Sequence, residues 1–191
     1  MNSLNQNIFK IVLLGEGAVG KTSLKRTYMG EEFVEGYKMT VGADFAVKKL
    51  EVDFYKITLQ IWDLAGQPRF DAVREAYYRG AKGALLVFDI SRPETYEILP
   101  KWLNELIKNS GGRKVPIILI GNKSDLREKH DQTVPINYAE DYAEKLTMWS
   151  GYHVSYVETS AKTGENVEKA FSELALQLVR NLEKLKVELG I

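Results

Sequence analysis

Cysteine is absent from the 191 residues. That excludes disulfides, thiolate-ligated zinc, a cysteine nucleophile, and palmitoyl or prenyl attachment within this sequence. It is compatible with a cytoplasmic protein. A surplus of either charge is also lacking: 26 basic residues balance 26 acidic ones, whereas a general nucleic-acid binder carries a basic excess, so no nucleic-acid partner is expected. No apolar run approaches the roughly 18–20 residues that span a bilayer. The start, Met1 to Asn7, is largely polar and uncharged, which fits neither a secretory leader nor a myristoylation signal. Internal repeats and low-complexity segments are missing as well. What remains is one globular domain, long enough to bury a full core. We read 1–7 as a flexible N-terminus, 8–182 as the domain and 183–191 as a helical extension.

Six short apolar runs stand out, at 8–14, 44–52, 56–62, 83–90, 115–120 and 155–157. The segments 11–14, 84–88 and 117–120 are almost continuously apolar, as strands buried on both faces of a parallel sheet are. The runs 44–52 and 56–62 alternate and are joined by Asp53-Phe54-Tyr55, which predicts a hairpin and one antiparallel strand. Helical stretches are expected at 21–29, 69–79, 94–109, 138–148 and 167–185. In the last, Val167, Phe171, Leu174, Leu178, Leu182 and Leu185 recur at three- and four-residue steps and make one apolar face. The alternation implies an α/β fold: a six-stranded, mostly parallel sheet with helices on both faces. The stretch 109–114, with Ser110-Gly111-Gly112-Arg113, reads as a surface loop.

The first strand runs into Gly15-Glu16-Gly17-Ala18-Val19-Gly20-Lys21-Thr22-Ser23 and then a helix. This is the phosphate-binding G-x-x-x-x-G-K-[ST] pattern in its strand–loop–helix context. Glycines let the backbone curl so that successive N–H groups face phosphate oxygens, and the helix N-terminus adds partial positive charge. Lys21 reaches the β- and γ-phosphates, and Thr22 offers its hydroxyl to Mg²⁺. A chance match in a chain of this length is expected on the order of one time in a hundred. Alone, the motif marks a P-loop nucleotide binder of unspecified base.

The strand 56–62 ends in Asp63-Leu64-Ala65-Gly66-Gln67. Asp63 is placed to associate with Mg²⁺. Gly66, without a side chain, can bring its N–H to a γ-phosphate. Gln67 carries the donor and acceptor that orienting a water requires. Thr40, between the first helix and the hairpin, either completes the Mg²⁺ shell or is an ordinary loop threonine. The strand 115–120 leads into Asn122-Lys123-Ser124-Asp125. The Asp125 carboxylate can accept from the N1–H and exocyclic amine of guanine, a donor pair adenine lacks, and sites built on such bonds discriminate by roughly 10⁴–10⁵. The Lys123 stem can cover the base, and Asn122 can tie loops together. The last strand enters Thr159-Ser160-Ala161-Lys162, whose backbone can meet guanine O6; the same stretch also reads as a helix N-cap around Thr163. All these motifs sit at strand ends, where ligands bind in open α/β sheets.

Taken in order, GEGAVGKT, Thr40, DLAGQ, NKSD and ETSAK resemble the Ras superfamily of small GTPases, over about residues 8 to 179. Val41-Gly42-Ala43-Asp44-Phe45, Leu59-Gln60-Ile61-Trp62-Asp63 and Tyr77-Tyr78-Arg79-Gly80-Ala81 are most similar to the Rab branch. The resemblance implies a small G domain with two switch loops. It implies Phe33 at the guanine edge, Thr40 as the switch I Mg²⁺ ligand, and Phe45, Trp62 and Tyr77 as an aromatic triad read by partners. It further implies a monomer that binds an activating protein, an exchange factor and effectors at its switches. Two residues depart from the family pattern: Leu64 stands where threonine is usual, and Pro68 where glutamate is usual. No cysteine pair ends the chain, so membrane association is expected only through partners or a tail beyond this sequence.

The expected function is therefore a switch that binds GTP and GDP with Mg²⁺ and hydrolyses GTP. Water attacks the γ-phosphorus in line, Lys21 and the loop N–H groups stabilise charge, and Gln67 places the water. Gly36-Tyr37-Lys38-Met39 before Thr40 contains no arginine, so intrinsic turnover is expected to be slow, about 10⁻⁴–10⁻² s⁻¹. Three rivals are a GTP-binding module with negligible hydrolysis, favoured by Leu64 and Pro68, a P-loop kinase or ATPase, disfavoured by Asn122-Lys123-Ser124-Asp125, and, more remotely, a structural scaffold that binds no nucleotide.

Overall fold

A computed structural model describes residues 7–34, 40, 42–66 and 76–190, the side chain of Leu189 excepted. In chain order the elements are β1 (Asn7–Leu14), α1 (Lys21–Tyr28), β2 (Ala43–Val52), β3 (Tyr55–Leu64), β4 (Gly83–Asp89), α2 (Pro93–Glu97), α3 (Leu99–Asn109), β5 (Ile117–Asn122), α4 (Ile136–Ser150), β6 (Ser155–Thr159) and α5 (Val167–Leu189). The strands form one sheet in the order β2-β3-β1-β4-β5-β6. The pairs β1–β3, β1–β4, β4–β5 and β5–β6 are parallel, and β2–β3 is the antiparallel hairpin. It turns at Asp53 and Phe54, both in the left-handed region with φ of 45° and 71°, as a two-residue hairpin turn of right-handed strands requires.

Strand pleating explains why the central runs are apolar without interruption. Ile11 and Leu13 pack on one face of β1 with Leu24 of α1 and Phe171, Leu174 and Leu178 of α5. Val12 and Leu14 face the other side with Trp102 and Leu106 of α3 and Leu146 of α4. All four strand residues are fully buried, because helices cover both faces and successive side chains alternate between them. The apolar stripe of α5 is the complementary surface, and it seats Phe171 in a parallel stack on Tyr28 with ring centroids 3.9 Å apart.

Several boundaries differ from the sequence expectation. The strand expected at 115–120 is Ile117–Asn122, and the short last strand extends to Thr159. Gly121 and Asn122 stay in register with Phe88 and Asp89 on one side and Glu158 and Thr159 on the other, so ladder pairing outweighs the loop-like composition. Similarly β3 continues through Asp63 and Leu64, paired with Asp44 and Ala43. The helix expected at 94–109 is two helices meeting at Ile98. Pro100 lacks a donor and cannot sit deep within a continuous helix, but it is accommodated in the first turn of α3. The helix after Ser160 starts at Val167 with Asn166 as its cap, so Thr163 is not the cap. Of the helix expected at 69–79, positions 76–78 are helical and 69–75 lie outside the described residues, as does 1–6 of the expected N-terminal segment.

Candidate nucleotide site at the carboxyl ends of the strands

The loop from Gly15 to Gly20 leaves β1 where its neighbours diverge in sequence order, with β3 on one side and β4 on the other. Loops on the two sides of such a switch point separate and leave a crevice. Lys21, the first residue of α1, is buried, and its ammonium donates to the carbonyls of Gly15 at 2.7 Å and Glu16 at 2.9 Å. The loop is thereby closed around its own lysine. Gly66 lies against it: a Cβ added there would come within 2.6 Å of Gly15 O and of the Gly17 nitrogen. Only glycine permits that approach. Asp63-Leu64-Ala65-Gly66 is thus brought onto the phosphate loop, as its sequence position predicts.

At the end of β3, the Thr22 hydroxyl donates to Asp63 Oδ2 at 2.5 Å and lies 2.7 Å from the Thr40 hydroxyl. Since the single Thr22 proton goes to Asp63, Thr40 is the donor to Thr22. The three predicted metal-associated residues are therefore adjacent although they come from three segments. Asp63 is fully buried, and its Oδ1 has no hydrogen-bond partner. Burial pushes this carboxyl above the usual carboxylate range, and the Lys21 charge and the Thr22 bond oppose the shift without cancelling it. Two hydroxyls and an under-partnered carboxylate are hard oxygen donors, the type Mg²⁺ takes. Among the described residues no group of three or more histidine, cysteine, aspartate or glutamate side chains is suited to a metal. Mg²⁺ is commonly held by one or two carboxylates together with substrate phosphates. The residues present fit that ion.

The base-reading corner is built differently. Asn122 is buried; its amide donates to Val19 O at 2.8 Å, and its Oδ1 accepts from Thr159 Oγ1 at 3.1 Å and the Ala161 N–H at 3.3 Å. A Cβ at Gly20 would fall 2.2 Å from Asn122 Nδ2, so the phosphate loop packs directly on this side chain. Asn122 does tie loops together, as its place in the motif suggests. Ser160 donates to Asp125 Oδ1 at 2.6 Å, which aims one carboxylate oxygen and immobilises it. The Thr27 hydroxyl of α1 donates to Ala161 O at 2.8 Å. Beneath the corner Arg127 and Glu158 form a two-pronged ion pair.

Sequence reasoning missed Asp89. This buried residue ends β4 and carries Lys123 on Oδ2 at 2.6 Å, Arg92 Nε on the same oxygen at 3.0 Å, and the Ser91 N–H and hydroxyl on Oδ1 at 3.0 and 2.7 Å. Burial alone would raise its pKa, but the Lys123 and Ser91 bonds, the Lys123 charge and the Arg92 bond outweigh it and hold the carboxyl below its usual range. Its signal was available: an acidic residue closing an all-apolar strand at the ligand end of the sheet. Arg92 and Thr27 had none.

Other expectations resolve as follows. Phe33 is exposed on the segment after α1, and Lys162 is exposed beyond the Ser160–Ala161 turn. Ser23 is half-buried in the first turn of α1. Leu64 is fully buried in the cluster with Val12, Leu14 and Tyr78. Gln67 and Pro68 lie outside the described residues, as do 36–39 and Val41. Phe45, Trp62 and Tyr77 form a continuous aromatic ladder, with centroids 4.8 Å and 5.3 Å apart, and Phe45 is exposed on β2. No described helix is long and apolar enough to cross a membrane.

Comparison of the sequence with known proteins points to one family. The Ras family model covers residues 10–180. Ras-related protein RABA1b of Arabidopsis thaliana is 43% identical over 183 residues, 96% of this chain and 81% of the relative. Ras-related protein Rab11E of Lotus japonicus is 44% identical, covering 96% and 80%. Ras-related protein YPT3 of Nicotiana plumbaginifolia is 43% identical over the same shares. With a phosphate loop closed on Lys21, an Asp125 carboxylate held by Ser160 and these relatives across almost its whole length, the chain belongs to the Ras family and is a Rab-like small GTPase switch.

Proposed function

We propose that the GTP cleavage expected of a Rab-like GTPase is carried out here by Lys21, Thr22, Thr40, Asp63, Gly66 and Gln67, with Asn122, Lys123, Asp125, Ser160 and Ala161 selecting guanine. The observation that carries this is the meeting of Thr22, Thr40 and Asp63 beside Lys21, with one buried carboxylate oxygen left unpartnered. Thr22, Thr40 and Asp63 would hold Mg²⁺, which when bound neutralises charge on the phosphate oxygens. Lys21, already desolvated and directed by two loop carbonyls, adds a fixed positive charge on the phosphate side. Gly66 offers backbone where no side chain fits. Gln67, whose amide carries both a donor and an acceptor, is assigned to orient the attacking water. Asp125, with one oxygen held by Ser160, presents its carboxylate to the guanine N1–H and amine. Phe33 covers the base edge, and Lys162 closes the corner from the solvent side.

Thr40 and Gly66 follow the γ-phosphate, so their segments differ between the GTP and GDP states. The Phe45–Trp62–Tyr77 ladder, with Phe45 exposed on β2, is the surface for effectors, with an activating protein and an exchange factor engaging the switches. Single-turnover hydrolysis of bound GTP with Mg²⁺ tests the assignment. The native chain should cleave at about 10⁻⁴–10⁻² s⁻¹, and Gln67→Leu should slow this on the order of tenfold or more. Equal rates for the two proteins would remove Gln67 from the mechanism. GTP held indefinitely by both would favour the module without intrinsic hydrolysis.

A further inference from the structure

Arg92 belongs to no nucleotide-binding motif, yet it is the only described side chain that joins Asp89 to the outer edge of the phosphate loop. Its Nε donates to Asp89 Oδ2 and its Nη2 donates to Gly17 O, both at 3.0 Å. Asp89 Oδ2 also holds Lys123 of the base-reading segment at 2.6 Å. One carboxylate, 1% exposed, therefore anchors two cationic side chains that each remain about one-third exposed. The connection runs from the phosphate loop through Arg92 and Asp89 to Lys123.

The backbone beneath Arg92 is tied down by hydrogen bonds. Its N–H donates to Asp89 O at 3.0 Å, and its carbonyl accepts from the Thr95 N–H at 2.9 Å and hydroxyl at 2.7 Å. Pro93 follows at the start of α2. A planar guanidinium on such a base can hold two acceptors in fixed relative position. The consequence for the loop follows from peptide geometry. In a trans peptide, the carbonyl of one residue and the N–H of the next point in opposite directions. Holding the Gly17 carbonyl toward Arg92 therefore turns the Ala18 N–H away from it. Ala18 itself is in the left-handed region, with φ 62°, a conformation that costs a non-glycine residue free energy and needs support from its surroundings. Successive N–H groups in such turns make anion-binding concavities.

We propose that Arg92 is a positioning residue: through Asp89 it locks the Gly17–Ala18 peptide in its phosphate-facing orientation, couples it to Lys123, and so slows nucleotide release. This rests on the phosphate loop gripping the β-phosphate. Arg92 acts through the loop and through Asp89 and takes no part in the chemical step.

The test is release of a fluorescent GDP analogue from the full chain with Mg²⁺, together with competition by GDP and by GMP, which lacks the β-phosphate. Arg92→Ala should release GDP about tenfold faster, the effect of losing one charge-assisted hydrogen bond. Arg92→Lys should recover part of the difference, because one ammonium cannot reproduce the two-acceptor fork. The preference for GDP over GMP should fall about tenfold in Arg92→Ala, with GMP affinity nearly unchanged. Equal weakening of GDP and GMP would mean that Arg92 only supports the fold, and release within about twofold of native would mean that it does nothing; either overturns the proposal. A native chain that distinguishes GDP from GMP while Arg92→Ala does so equally well overturns the proposal alone. A native chain that does not distinguish them overturns the phosphate-loop reading and the proposal with it.

Discussion

Asn122 and Asp63 are both buried polar side chains at the carboxyl ends of strands, one on β5 and one on β3, and they are satisfied to opposite degrees. Asn122 donates to Val19 and accepts from Thr159 and Ala161. Asp63 receives one hydroxyl from Thr22, and its second oxygen has no partner. The base-reading corner is thus knitted by the protein itself. The phosphate corner holds a charged group in a low-dielectric site that the protein only partly compensates, a cost of about 1–3 kcal/mol or more for a charged acceptor. The difference teaches where each part of the ligand contributes. On the proposed assignment guanine would dock on an edge already hydrogen-bonded within the protein, whereas a cation and phosphate would complete an arrangement that is electrostatically unfinished without them. A switch needs that asymmetry: a constant hold on the base and a conditional hold on the γ-phosphate.

The largest effect should come from breaking the satisfied side. Asn122→Ala removes three hydrogen bonds and leaves the Val19 carbonyl and the Ala161 N–H without their buried partner. GDP release should accelerate about 10²–10³-fold, with a lower thermal midpoint. Release changed by less than about tenfold would show that the corner is not held by Asn122. The unfinished side is sharpened by chelation. EDTA should accelerate GDP release from the native chain about tenfold or more, because the ion stabilises the bound state by mass action. Asp63→Asn should release quickly with or without EDTA. A native-sized EDTA response in that variant would remove Asp63 from the metal site.

The smallest effect concerns acid. Asp89 joins the two corners, and its carboxyl titrates below its unfolded value of about 3.9. For an acid with a depressed folded-state pKa, the folded form binds fewer protons in the window between the two values. The stability it contributes is therefore full above about pH 4 and lost as pH falls through the lower folded value. Thermal midpoints followed from pH 6 to pH 3 should drop less steeply for Asp89→Asn than for the native chain. Parallel curves would mean that Asp89 is not held as an ion by Lys123 and Arg92.

Much of this was legible in the residues. Continuous apolar runs announced strands covered on both faces, and the alternating pair 44–52 and 56–62 announced the hairpin. The motifs at 15–22, 63–67 and 122–125 announced a guanine-nucleotide site because phosphate loops and base readers depend on local backbone chemistry that a few consecutive residues encode. The strand ends were less legible. Gly121 and Asn122 have loop composition, and only pairing with Phe88 and Asp89 on one side and Glu158 and Thr159 on the other makes them strand. Leu64 stands out in the sequence only as a departure from the family pattern, and the fold places it in the core cluster that also holds Tyr78.

The sequence by itself determined the α/β class, the order of the motifs and the chemistry each can offer, since helix and strand periods, glycine turns and carboxylate donors are properties of short segments. Tertiary structure alone decided which of those groups meet. Thr40 reaches Thr22, Arg92 reaches Gly17 and Asn122 reaches Val19 across separations of 18, 75 and 103 residues. No local pattern encodes such contacts. They exist because parallel strands, forced side by side by helices on both faces, deliver all their carboxyl ends to one edge of the sheet.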